Sequence, residues 1–264
     1  MQRLTTGVTR ETTRKHSLLL ATTLTAAALG MGGCATPGPN HTYVAATDSA
    51  PILDLTTGAS MTEVPSHLLT SDDIYGIAYD PFTDHLFVRI APGNCIRVID
   101  RPARAIKRDF KVEDLPDGPG DLAIRSSDRH LFFIHPIEPV LVESTLFGKH
   151  VRDILLETLQ GPPAGIAYDQ KRDQFLILTG GDLAQVITFS LNGKRLNAVG
   201  LDCNVLLTAL AFDSVARELY VPLHDESAIG VFDLKGHLLR TLPIPATQGR
   251  DHVDVGPRSL FRLF

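Results

Sequence analysis

From residue 41 onward the chain alternates short apolar runs with turn residues, and the runs come in register. Gly76-Ile77-Ala78-Tyr79-Asp80 recurs as Gly165-Ile166-Ala167-Tyr168-Asp169, with Asp121-Leu122-Ala123-Ile124-Arg125 between them and Ala209-Leu210-Ala211-Phe212-Asp213 after them. The last residues of these pentads lie 45, 44 and 44 positions apart. In every copy a second apolar run starts six residues later: Leu86-Phe87-Val88, Leu131-Phe132-Phe133, Phe175-Leu176-Ile177 and Leu219-Tyr220-Val221. A third run follows, as in Ile96–Asp100 or Val186–Ser190, and a more polar fourth closes each unit, as in Leu238–Leu242. Runs of this length, rich in β-branched residues and separated by turn chemistry, predict strands rather than helices. Asn192-Gly193 and Lys235-Gly236 fall where a tight hairpin joins the third strand to the fourth.

Four short antiparallel strands per repeat at this period define a β-propeller blade, so the fold class is all-β. Residues 41–64 supply strands two to four of a blade with no first strand before them (His41–Ala46, Pro51–Leu55, Ser60–Val64). At the other end, Gly256-Pro257-Arg258-Ser259-Leu260-Phe261 matches Gly118-Pro119-Gly120-Asp121-Leu122-Ala123, the start of a first strand. The C-terminal strand is therefore expected to complete the N-terminal blade, giving five blades over 41–264, with 246–255 as a long incoming loop. Matching Ser259–Phe264 to a second strand instead would imply a fragmentary sixth blade.

Glu218-Leu219-Tyr220-Val221, followed by Val231-Phe232-Asp233, resembles the NHL-type and YVTN-type propeller repeats of bacterial surface and envelope proteins. Pro222 and His224 depart from the Thr-Asn part of the second pattern. The resemblance covers the whole repeat region and implies a fold, without an activity.

Ahead of the repeats the pattern changes. Arg3, Arg10, Arg14 and Lys15 precede an uncharged run from Ser17 to Met31, too short to cross about 30 Å of hydrocarbon comfortably. The run ends in Met31-Gly32-Gly33-Cys34, which resembles a bacterial lipobox. Residues 1–33 thus read as a lipoprotein signal peptide, Cys34 as the lipidated residue and 34–40 as a linker. Ordinary secretory cleavage with Cys34 incidental is the other reading. Thr13-Arg14-Lys15-His16-Ser17-Leu18 also has a faint likeness to a twin-arginine signal. Ala35 after the cysteine, where Asp commonly marks inner-membrane retention, implies a cell-envelope protein at the outer membrane facing the periplasm.

Composition narrows function mainly by exclusion. Trp is absent, so a sugar groove paved with it is ruled out, and no basic block supports nucleic-acid binding. Residues 1–33 hold four bases and one acid, so their removal takes the net charge from −5 to −8. Cys95 and Cys203 would sit in blades that are not neighbours, which predicts free thiols. Metalloprotease, nucleophile-elbow, P-loop and dinucleotide motifs are missing. The recurring Asp80, Asp169 and Asp213 read as hairpin caps.

In a propeller the loops entering each blade and those joining its second and third strands share the mouth of the central channel. That geometry gathers Asp73, Asp121, His135, Asp182, His224, Asp225, Asp251 and His252 as candidate binding residues and predicts a negative mouth. Two functions follow as expectations. One is an envelope scaffold that binds a small-molecule ligand or an envelope protein and requires no cofactor. The other is a metal-dependent, lactonase-like hydrolase or a lyase, with a divalent cation on His135, His224, His252 and Asp251.

Overall fold

The computed structural model describes residues 40–257 apart from 49, 57–60, 160–162, 182 and 247–248. The expected signal peptide, Cys34, its linker up to residue 39, and Asp182 lie outside the described residues.

Five four-stranded antiparallel sheets follow one another along the chain. Blade 2 comprises β4 (Asp73–Asp80), β5 (His85–Ala91), β6 (Cys95–Asp100) and β7 (Ala105–Lys111). Blade 3 comprises β8 (Leu122–Arg125), β9 (His130–Ile134), β10 (Val140–Thr145) and β11 (His150–Leu155). Blade 4 holds β12 (Gly165–Asp169), β13 (Gln174–Thr179), β14 (Gln185–Ser190) and β15 (Arg195–Gly200). Blade 5 holds β16 (Ala211–Asp213), β17 (Glu218–Pro222), β18 (Ala228–Phe232) and β19 (Leu238–Pro243). Blade 1 is composite: β20 (His252–Pro257) pairs with β1 (Asn40–Ala45), which continues to β2 (Ile52–Thr56) and β3 (Thr62–Val64). The innermost strands contact in sequence, β4 on β8, β8 on β12, β12 on β16, β16 on β20, and β20 on β4. The ring is a five-bladed β-propeller.

The closing strand differs from the sequence expectation in position. It begins at His252, inside the stretch assigned to a loop, and not at Gly256. The cause is packing: Val253 and Val255 bury against Val44, Leu53, Ala209 and Ala211 between blades 1 and 5. The Gly256-Pro257 likeness to Gly118-Pro119 misplaced the strand.

Blade faces bury almost entirely apolar side chains against the next blade, as in the cluster of Phe132, Tyr168, Phe175 and Phe189 between blades 3 and 4. The repeated aspartates do cap the first hairpins. Asp80 accepts from Phe82 N and the Thr83 hydroxyl, Asp169 from Lys171 N, and Asp213 from Val215 N and Ala216 N. Two of them also reach the following blade, Asp80 to Arg129 and Asp169 to Arg217. Gly193 and Gly236, at φ of 78° and 86°, occupy the predicted tight turns between third and fourth strands. Each turn abuts the preceding blade so closely that a Cβ on Gly236 would lie 1.9 Å from the Gly200 carbonyl oxygen. Both Cys95 and Cys203 are free.

Candidate functional site: the channel mouth

The loops entering each blade and those after each second strand converge on a cavity of about 630 Å³. Its described lining draws on all five blades: Thr47 and His252 from blade 1, Ile74 and Tyr75 from blade 2, Pro119, Gly120 and Pro136 from blade 3, Pro163, Ala164, Thr179 and Gly180 from blade 4, Leu207 and Thr208 from blade 5. Among the described residues no Asp, Glu, Lys or Arg lines it. Four exposed apolar side chains, Leu69, Ile137, Leu183 and Leu207, stand on loops of the same face. The cavity wall is apolar, while the same loops also carry exposed carboxylates, among them Asp73, Asp117, Glu138, Asp225 and Glu226.

The acidic and imidazole side chains expected at the mouth turn to several different partners. His135 Nδ1 accepts from the backbone N–H groups of Ile137 and Glu138, shaping its own loop. His224 and Asp225 pair with each other at 2.7 Å, both about two-thirds exposed. That bond, helped by Asn204, holds the Asp225 carboxyl below its usual range. Asp251 accepts from Thr47 N at 2.9 Å, and Asp73 is exposed at the start of β4. Of the predicted residues, His252 lines the cavity, Asp121 sits deeper on the axis, and Asp182 lies outside the described residues. His135, His224, His252 and Asp251 are therefore not brought together around one point.

His252 is buried on β20, and its Nε2 donates to the Ile74 carbonyl at 2.9 Å. Burial pushes the imidazole down to about 4, against a smaller opposing pull from Asp251 and that carbonyl, so the ring is neutral near pH 7. With the proton on Nε2, Nδ1 is a bare acceptor, and it is enclosed without a partner. The Thr208 hydroxyl is enclosed and unpartnered as well.

A buried arginine missed by sequence reasoning fixes one wall. Arg89, in the middle of β5, donates through Nε to Asn94, through Nη1 to the carbonyls of Gly120 and Ile134, and through Nη2 to that of Pro116. Asn94 adds bonds to the Leu115 and Pro116 carbonyls. Burial lowers the guanidinium to about 10, while Tyr75, Asp117 and Asp121 work in the other direction. An Arg in an apolar strand gives no sequence signal beyond being out of pattern.

Below the mouth, one Asp121 carboxylate oxygen accepts from Ile166 N at 3.0 Å and Leu210 N at 3.2 Å, tying blade 3 to blades 4 and 5. Gly76, Gly165 and Ala209 hold the matching pentad position in blades 2, 4 and 5. A Cβ on Gly76 would meet the Asp121 Cα at 2.9 Å, so small residues there leave room for the carboxylate. Burial raises Asp121 well above the carboxylate range. Two pentad positions further on stand Ala78, Ala123, Ala167 and Ala211 in four blades and Asp254 in the fifth, as the strand pairings show. Asp254 accepts from Tyr79 N and Val255 N, and burial raises it to about 7. It lines a narrower cavity of about 270 Å³ at the far end of the channel.

The described residues contain one cluster of three candidate metal ligands: Asp128, His130 and Glu143. Arg125 bridges both carboxylates and Arg152 bonds Glu143 at 2.6 Å, with His130 Nδ1 also on Glu143 at 2.6 Å. Burial works against ionising Glu143, but these partners outweigh it and hold its carboxyl below the usual range. Two guanidinium groups already supply the positive charge, so the cluster reads as an ion-pair network.

No family model and no curated protein matches this chain. Among solved structures, a chain in the crystal structure of a nidogen/laminin complex aligns at a TM-score of 0.59 and 14% identity, covering 82% of this chain and 98% of that one. A Bacteroides caccae protein of unknown function aligns at 0.48 and 16%, covering 78% and 73%. The first likeness supports the propeller fold and nothing finer.

Proposed function

We propose that this protein is a binding module of the cell envelope, held at the outer membrane by lipid on Cys34, with the channel mouth as its ligand site. The observation that carries the reading is the cavity itself. It lies in the size range of small-molecule sites and is walled by apolar side chains with a few polar groups. Its walls are set in advance, because three prolines stiffen the loops and Arg89 clamps one of them. The NHL-type and YVTN-type resemblance and the lipobox-like Cys34 support the envelope setting.

The hydrolase or lyase alternative has less support. It needs a metal-bound or base-activated water, and His135, His224 and Asp251 are turned to local partners. Native mass spectrometry of protein extracted from membranes tests the reading. A bound small molecule that Leu207→Arg loses is the expected result, with Cys34→Ser moving the protein to the soluble fraction. A metal-dependent lactonase activity that Leu207→Arg leaves intact would overturn it.

A further inference from the structure

We propose that the end of the propeller opposite the mouth docks on an anionic membrane surface, which points the mouth away from the bilayer. The proposal rests on the reading above for the anchor at Cys34, and not for the surface itself. Strand direction defines that end. β20 runs from the mouth at His252 to the narrow cavity at Pro257, and Asn40 pairs with Pro257, so β1 starts at the far end. The chain from Cys34 to Asn40 is six residues long and reaches at most about 22 Å. Lipid on Cys34 therefore tethers the far end to the membrane. Past Pro257 the sequence continues as Arg258-Ser259-Leu260-Phe261-Arg262-Leu263-Phe264, a cationic and apolar composition suited to a lipid interface.

The two ends of the ring also differ in charge. The far end carries the turns that join first to second and third to fourth strands. Their exposed cations are Arg104, Lys149, Lys171, Arg172, Lys194 and Lys235, against two exposed carboxylates among the described residues, Asp128 and Asp173. Asp128 is paired with Arg125, and Asp173 accepts from the Tyr168 hydroxyl. The mouth loops instead expose Asp48, Asp73, Asp117, Glu138, Asp225 and Glu226, with no exposed Lys or Arg among their described residues. Those carboxylates do not repel a membrane at the other end. The six residues of β13 span roughly 20 Å, against a Debye length of about 8 Å at physiological ionic strength. Carboxylates of preceding blades stand beside two of the outer turns, Glu113 bonding His150 N and Asp202 bonding Leu238 N. Lys171 and Arg172 follow Gln170 on the rim of the narrow cavity and have no ion pair among the described residues, so they carry the attraction furthest. Phe82, Phe147 and Val215, exposed on the same set of turns, supply apolar contact with the headgroup region.

Vesicle sedimentation tests this with the chain from residue 34 onward carrying Cys34→Ser, so that no acyl chain contributes. Binding to phosphatidylcholine vesicles that contain phosphatidylglycerol, absent without it and lost in high salt, is the expected result. Lys171→Gln combined with Arg172→Gln should weaken that binding about thirtyfold, each charge at the surface contributing a factor of about five. Glu138→Gln combined with Glu226→Gln, at the mouth, should leave it unchanged. Because the chain has no Trp, Phe82→Trp and Ile137→Trp each place a single fluorescent reporter, one at either end. Brominated lipid should quench the first and leave the second.

No binding, or equal binding to both kinds of vesicle, would overturn the docking even where Cys34→Ser releases the protein from cell membranes and so upholds the anchor. Vesicle binding as expected, with the wild-type protein never found in membranes, would overturn the anchor and leave the docking surface standing. Quenching of Ile137→Trp in place of Phe82→Trp would turn the mouth to the bilayer and overturn the orientation. Oligomers in vesicle-free solution that the Lys171→Gln, Arg172→Gln pair dissolves would put the acidic mouth of a second copy on this end and overturn the membrane as its occupant.

Discussion

Replacing Asp254 by Asn should make the protein more stable at pH 8 and slightly less stable at pH 4. Asp254 has a folded value of about 7 against an ordinary 3.8. Between those values the folded chain keeps the proton and the unfolded chain releases it. Folding therefore takes up a proton, and stability falls as pH rises through the window. A gap of about three units corresponds to roughly 4 kcal/mol, and partial access to water at the narrow end of the channel trims this to about 2 kcal/mol. Asn cannot ionise, yet its carbonyl can still accept from Tyr79 N. Its amide faces Val255 N less well, which costs about 1 kcal/mol at every pH. The variant should thus trail the wild type by about 1 kcal/mol at pH 4 and lead it by a similar amount at pH 8. Urea unfolding followed by far-ultraviolet circular dichroism at pH 4.5, 6 and 8 measures the difference, in which the other titrating groups cancel. A deficit of the same size at all three values would refute the reasoning.

His252 acts on the opposite limb. Its folded value of about 4 lies below the ordinary 6.5, so stability is present above pH 6.5 and is lost as pH falls towards 4, by up to about 3 kcal/mol. His252→Gln should flatten that loss in melting temperatures taken between pH 7 and 4.5, and an unchanged slope would count against a neutral buried imidazole. Gly236→Ala should cost about 3 kcal/mol or more in urea unfolding, since its Cβ would strike the Gly200 carbonyl at a φ of 86°. A wild-type midpoint would show that the joint between blades 4 and 5 can yield.

The pentads made the blades legible in the sequence, because Ile77, Ile166 and their equivalents repeat the same burial in each unit. The closing strand was harder. Gly and Pro near a strand start look alike wherever they occur, whereas Val253 and Val255 declare themselves only against a neighbouring blade. The site was the least legible part. A loop position says that a side chain is near the mouth, not whether it shapes its own turn, as His135 does, ties down another loop, as Asp251 does, or faces the axis, as Asp121 does. Pro119, Pro136 and Pro163 read as punctuation in the sequence, and only the folded ring makes them walls. Asp254 was grouped with loop residues because the strand that carries it was placed too late.

The single carboxylate of Asp121 also measures the circumference of the ring. One of its oxygens satisfies backbone N–H groups on the next blade and on the blade after that, which is possible only where five inner strands enclose a very narrow axis. A sixth repeat would spread those strands apart and take the donor on the more distant blade out of reach of Asp121. Growth of this protein by duplicating a unit of about 44 residues is therefore penalised at a residue that touches no outer surface. A lineage that changed its number of blades would first have to replace Asp121 with the glycine or alanine its sister units already use.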